Sequence, residues 1–140
     1  MKVLTHEYSS ELVDEARSAR ERAYAPYSNF KVGAALRTKS GKVFRGGNVE
    51  NASFSMTICA ERSAGVAAIA DGEMDWEELV VVADTAQPTT PCGACRQFLA
   101  EFNQDLKVVV ANNEKVFFTC TVADLLPHAF DQDIMETQKS

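Results

Sequence analysis

Long apolar runs are missing from this 140-residue chain. No stretch approaches the roughly 20 residues that a membrane-spanning helix needs, so no membrane partner is expected. The opening segment, MKVLTHEYSSELVDEARSAR, turns polar and charged after a few positions and reads as no secretory leader. Basic clusters are equally scarce. Lys and Arg number 14 against 20 Asp and Glu, a formal net charge of −6. The densest basic group, Arg17, Arg20 and Arg22, is interleaved with Glu15 and Glu21. Such alternation along a helix makes a salt-bridged solvent face rather than a grip on phosphates, which argues against nucleic acid as a partner and favours an uncharged small molecule. The two histidines, His6 and His128, stand near the two ends without the spacing of a metal pair. Four cysteines, three of them in a metal-ligand pattern, fit a reducing cytoplasmic setting better than a disulfide framework. No internal repeat or low-complexity segment is present. What is left, 46% hydrophobic and 24% charged residues, is the composition of a globular protein, expected to form one catalytic domain over residues 1–140.

Periodicity divides the chain into alternating elements. Tyr8 to Tyr24 predicts a first helix, with Leu12, Ala16, Ala19 and Ala23 at near-helical spacing, Ser9 or Ser10 able to cap it and Pro26 closing it. Strands are expected at 31–38 and 42–49, joined through Lys39-Ser40-Gly41, a hairpin signal. A helix over 58–70 stops at Asp71-Gly72, and ELVVVAD over 78–84 reads as a buried strand. After a polar loop over 85–91, a helix is expected over 92–102, strands over 106–111 and 115–120, and a short helix over 121–126 capped by Thr121. The tail over 132–140 frays or adds a small helix. The order α-β-β-α-β-α-β-β-α predicts an α/β fold: a five-stranded mixed sheet with helices on both faces, a three-layer α-β-α sandwich.

Chemistry concentrates at two of the helix starts. Cys59-Ala60-Glu61 is followed, after a gap that leaves room for a helix, a strand and a loop, by Pro91-Cys92-Gly93-Ala94-Cys95. Zinc takes thiolate sulfur readily, and a catalytic zinc site uses three protein ligands and keeps its fourth position open. Cys92 and Cys95, one helical turn apart, present both sulfurs to one side. Cys59 would complete the set, with Zn2+ as cofactor. Helix dipoles with their positive ends toward the sulfurs would lower the thiol pKa values and draw off part of the excess negative charge. Arg62, one turn after Cys59, is the expected second-shell donor to the ligand thiolates. Arg96 is either a further such donor or a surface residue. Glu61, beside the metal, suits a proton shuttle: it would take a proton from water, protonate a ring nitrogen and later deliver a proton to a departing amine. The pattern C-x-E … P-C-x-x-C is that of the zinc nucleoside and nucleobase deaminases, with Cys in place of the first His. A closed structural zinc site would need a fourth protein ligand. The remaining cysteine, Cys120, falls in the apolar run Val116–Cys120 and reads as a packed core thiol.

On these motifs the chain resembles the small, homotetrameric zinc-dependent cytidine deaminases, over most of its length from Ala25 to Phe130. Ala25-Pro26-Tyr27-Ser28-Asn29-Phe30 and the following Lys31–Leu36 resemble the family's stretch leading into its first strand, and Asn48-Val49-Glu50-Asn51-Ala52 its ribose-binding segment. The two cysteine segments match its zinc motifs, and Leu125-Leu126-Pro127 with Phe130 its C-terminal substrate-side segment. The resemblance implies a cytidine deaminase-like fold and hydrolytic deamination of cytidine and 2′-deoxycytidine in pyrimidine salvage. It further implies that Phe30 packs on the pyrimidine, Asn48 and Glu50 bind sugar hydroxyls, Ala60 offers backbone groups to the base, and Phe130 reaches a neighbour's substrate in a homotetramer with shared active sites. Phe54-Ser55-Met56 stands where members often carry Tyr-Pro, which leaves the preference among sugars open. Two rivals keep the chemistry and change the substrate, to a modified cytosine nucleoside such as blasticidin S or to a base in single-stranded nucleic acid. A zinc-stabilised module without activity is the non-enzymatic rival, and the presence of Glu61 speaks against it.

Overall fold

Side-chain alternation along the strands settles which surface each helix covers. The computed structural model describes residues 7–137, so His6 lies outside the described residues. Five strands, β1 (Val32–Thr38), β2 (Val43–Gly47), β3 (Trp76–Ala83), β4 (Lys107–Ala111) and β5 (Val116–Thr121), form one sheet in the order β2-β1-β3-β4-β5. The β3–β4 pair is parallel and the other pairs are antiparallel, which makes the sheet mixed as expected. Ala35, Val80, Val82, Val109 and Ala111 point to one face, where Leu12, Val13 and Ala16 of α1 (Ser10–Arg20) cover them. Their neighbours in alternation, Ala34, Leu36, Leu79, Val81, Val108 and Val110, point to the other. That face is covered by α2 (Ala60–Ala70), α3 (Gly93–Phe102) and α4 (Val122–Leu125). A last helix, α5 (Gln132–Thr137), follows. The result is the three-layer α-β-α sandwich. Among the described residues no helix is long and apolar enough to cross a membrane.

Two glycines set how closely α2 is held. A Cβ on Gly46 of β2 would stand 2.5 Å from the Ala64 nitrogen and 2.7 Å from the Ala60 oxygen, so only glycine lets the first turns of α2 rest on the strand backbone. A Cβ on Gly65 would meet the Phe98 ring at 2.5 Å, so α3 docks equally close on α2. Behind that contact, Trp76 is fully buried against Phe102 and Phe98, with ring centroids 4.4 and 6.0 Å away.

The elements depart from the sequence reading at their ends. Helix α1 is capped by Ser9, whose hydroxyl accepts from the Leu12 amide at 3.2 Å, and it stops at Arg20 rather than Tyr24. Tyr24 instead pairs with the segment after β2: its N–H donates to the Asn48 carbonyl and its carbonyl accepts from Glu50, both at 2.8 Å. Strand β3 begins at Trp76, two residues early, because the indole is part of the core. Thr121 caps α4 in a reciprocal capping box with Asp124, as expected. A short 3-10 turn over Phe54–Met56 was not foreseen.

Candidate active site

Helices α2 and α3 both begin on a cysteine. Cys59 and Cys92 occupy the N-cap positions in extended backbone geometry, and neither side chain caps its helix. In that position Ser, Thr, Asp or Asn would bond the exposed amides of the first turn. Here the two sulfurs turn toward each other instead, 3.7 Å apart, and Cys95 adds a third, 3.4 Å from Cys92. All three lie within 4.8 Å of one another. Tetrahedral zinc with bonds of about 2.3 Å separates its sulfurs by about 3.8 Å, so the donor set fits that metal in both chemistry and spacing. Cys95 is buried, Cys59 half-buried and Cys92 exposed, which leaves the cluster open on one side. Cys120 is elsewhere, buried in the core, where desolvation pushes its thiol up to about 11.

Charge at the cluster is shared unequally. The neighbouring Cys95 thiol first, and the Arg62 guanidinium after it, bring Cys59 down to about 5 against the effect of burial. Cys95, beside the Cys59 sulfur and more deeply buried, is pushed upward. Arg62 Nη2 lies 3.6 Å from Cys59 Sγ and 3.4 Å from the Thr57 carbonyl, while its Nε is buried without a hydrogen-bond partner among the described residues. Glu61, the second residue of α2, is 4% exposed. Burial pushes its carboxyl up to about 7, with the nearby Cys59 adding to the shift and Arg62 opposing it. A carboxyl in that range exchanges protons readily at neutral pH.

Glu61 opens onto a cavity of about 180 Å³, lined also by Cys59, Cys92, Ala60, Phe30, Val32, Asn48 and Val81, with Thr57, Thr89 and Thr90 at its sides. A second cavity of about 370 Å³ is lined by Tyr27, Ser28, Glu50, Phe54 and Thr57. Thr57 belongs to both, so the two adjoin as an inner and an outer chamber. Asn48 is 8% exposed; its Oδ1 accepts from the Val32 amide and its Nδ2 donates to the Phe30 carbonyl, both at 2.9 Å. Glu50 Oε1 accepts from the amides of Tyr27 at 3.0 Å and Ser28 at 3.1 Å, and Oε2 accepts from the Ser28 hydroxyl. These bonds, the hydroxyl first, hold its carboxyl below the usual carboxylate range. Phe130 lines neither chamber. It is 54% exposed, and its carbonyl accepts from Gln97 Nε2 at 2.8 Å.

Arg96 is neither a thiolate donor nor a free surface residue. Its guanidinium spans the Pro91 carbonyl at 2.7 Å, the Leu125 carbonyl at 2.8 Å and the Thr90 hydroxyl at 2.9 Å. It thereby ties the loop before α3 to the end of α4. The sequence reading also passed over Thr57, Thr89 and Thr90 as cavity walls. The two threonines beside Pro91, just ahead of a ligand-type cysteine, were the signal that could have found them.

Three sulfurs spaced for zinc at paired helix starts thus stand beside a buried carboxyl at one chamber, the parts of a metal centre with a proton-transfer group. Residues 6–112 match the family model described as the cytidine and deoxycytidylate deaminase zinc-binding region. The chain is 49% identical over 123 residues to a cytidine deaminase of Sporosarcina psychrophila, spanning 87% of this chain and 90% of that protein. It is 50% identical over 125 residues to one of Halalkalibacterium halodurans, spanning 89% and 95%. The crystal structure of a cytidine deaminase from Burkholderia pseudomallei matches the fold with a TM-score of 0.84 at 48% identity, covering 89% of this chain and all of that one. The chain belongs to the cytidine and deoxycytidylate deaminase family.

Proposed function

We propose that the protein hydrolyses cytidine and 2′-deoxycytidine to uridine and 2′-deoxyuridine, releasing ammonia, in pyrimidine salvage in the cytoplasm. The observation that carries this reading is the shared inner chamber, where three cysteine sulfurs at zinc spacing, a buried carboxyl and an aromatic ring meet. Cys59, Cys92 and Cys95 would hold the zinc, and Arg62 would donate to the Cys59 sulfur. Zinc held there supplies Lewis acidity that brings the pKa of a water molecule toward neutrality. The rest falls to the chain. Glu61 takes a proton from the attacking water and passes it to the ring nitrogen next to the reacting carbon. It then takes the second proton, from the hydroxyl now on the reacting carbon, and delivers it to the exocyclic amine, so that the carbon–nitrogen bond breaks, ammonia leaves and a carbonyl remains. Its burial supports this work, because a desolvated carboxyl near neutral pKa both accepts and returns a proton.

Recognition would divide between the chambers. Phe30 packs on the pyrimidine, and the Ala60 amide, in the first turn of α2 and without an intrahelical partner, is available to the base. Asn48 keeps one donor and one acceptor site beyond those it spends on Phe30 and Val32. Glu50, with three of about four acceptor sites engaged, keeps one for a sugar hydroxyl. Phe130, exposed and away from both chambers, suits a contact with a neighbouring subunit's substrate in a homotetramer. Exposed Tyr27 and Phe54 on the outer chamber, and the likewise exposed Tyr24, Met56 and Ile58, support such an assembly.

The test is to follow ammonia release and the ultraviolet change with cytidine and with 2′-deoxycytidine. Amine loss from both, abolished by chelation and restored by zinc, is the expected result. A zinc-loaded protein that turns over neither would overturn the reading.

A further inference from the structure

Phe30 precedes β1, which starts at Val32, so its backbone has no place in the ladder of the sheet. Both of its polar groups are instead held by side chains. The carbonyl accepts from Asn48 Nδ2 at 2.9 Å, and the N–H donates to the Ser28 hydroxyl at 3.0 Å. That hydroxyl in turn donates to Glu50 Oε2. Between them Asn29 sits in the left-handed region at φ 59°, a conformation sparsely populated by residues with a side chain and held here by its neighbours. One hydroxyl therefore joins a carboxylate on the outer chamber to the backbone of the ring that walls the inner one.

We propose that Ser28 is a positioning residue for the reaction: its hydroxyl links Glu50 to the Phe30 amide and fixes the ring at the mouth of the inner chamber. The inference rests on the reading that Phe30 packs on the substrate's base. Ser28 and its surroundings are exposed, and Glu50 keeps its bonds to the Tyr27 and Ser28 amides when the hydroxyl is removed. The turn thus survives the loss, and the link from Glu50 to Phe30 does not. Glu50 serves the site twice on this view, once toward the sugar and once by setting the ring.

The experiment is steady-state kinetics on the zinc-loaded protein with cytidine, for Ser28→Ala, Ser28→Thr, Phe30→Ala and the Ser28→Ala/Phe30→Ala double variant. Ser28→Ala is expected to raise KM about tenfold, the scale of one lost hydrogen bond to a charged group, with kcat within about twofold. Ser28→Thr, which keeps the hydroxyl, should retain a KM close to that of the unaltered protein. In the Phe30→Ala background, Ser28→Ala should add less than about twofold, because its effect passes through the ring. Additive effects, an unchanged KM in Ser28→Ala, or a Ser28→Thr variant as impaired as the alanine would each overturn the proposal. An unaltered KM in Phe30→Ala would instead overturn the reading of Phe30 on which it rests.

Discussion

The inner chamber is framed by two helix starts and a buried strand, the outer by a turn and a 3-10 segment, and the two are held by different forces. Around the inner one, α2 lies in van der Waals contact with the backbone of β2 through Gly46 and with α3 through Gly65, and Val81 of the sheet forms part of the wall. Its metal end does not move without moving the core, whereas Phe30 is held by hydrogen bonds from Asn48 and to Ser28. Around the outer one, position depends on single hydrogen bonds from side chains to exposed backbone, those of Glu50 and Ser28 foremost. Groups that must meet a reacting atom within a fraction of an ångström are placed by packing. Groups that must follow a sugar are placed by contacts worth about 1 kcal/mol each.

Substitutions can break or sharpen this contrast. The largest effect is expected in the inner chamber: Glu61→Gln should lower kcat about 10³-fold while zinc content measured by atomic absorption stays near one per chain. Next, Gly46→Ala forces a methyl group onto the backbone of α2, where no flexible side chain can give way. Unfolding by denaturant should show a loss of about 1–3 kcal/mol, together with reduced zinc retention. If Gly46→Ala left both unchanged, the claim that packing places the metal end would fail. Asn48→Ala comes next: it leaves the Phe30 carbonyl and Val32 amide without their partner and, on the proposed reading, also removes a sugar contact. A fall in kcat/KM of about 10–100-fold is expected. The smallest change belongs to the outer rim: Phe54→Tyr, at a side chain 74% exposed, should alter KM by no more than about threefold. A different change for cytidine than for 2′-deoxycytidine would identify the rim as a place where sugars are told apart.

How much of this was legible beforehand follows the same division. Strands and helices were readable because each carries its own period, and the cysteine segments because ligand type, spacing and helix-start signals coincide within a few residues. Arg96 was not readable. Its three acceptors come from the loop before α3 and from Leu125 at the end of α4, and no local pattern announces that these backbone oxygens converge. The part played by Ser28 was not readable for the same reason, since its partner Glu50 arrives through the Tyr24–Val49 bridge. The 3-10 turn over Phe54–Met56 has three residues and no side-chain cap, too little for periodicity to register.

The two helices that begin on uncapped cysteines carry one more consequence. An N-cap side chain is worth about 1 kcal/mol to its helix, and α2 and α3 both go without. Zinc held by Cys59, Cys92 and Cys95 would act as a clasp between these two helix starts, in addition to the contact of Gly65 with Phe98 further along. Loss of the metal would then cost folded stability as well as turnover, so the unfolding midpoint should rise with zinc concentration.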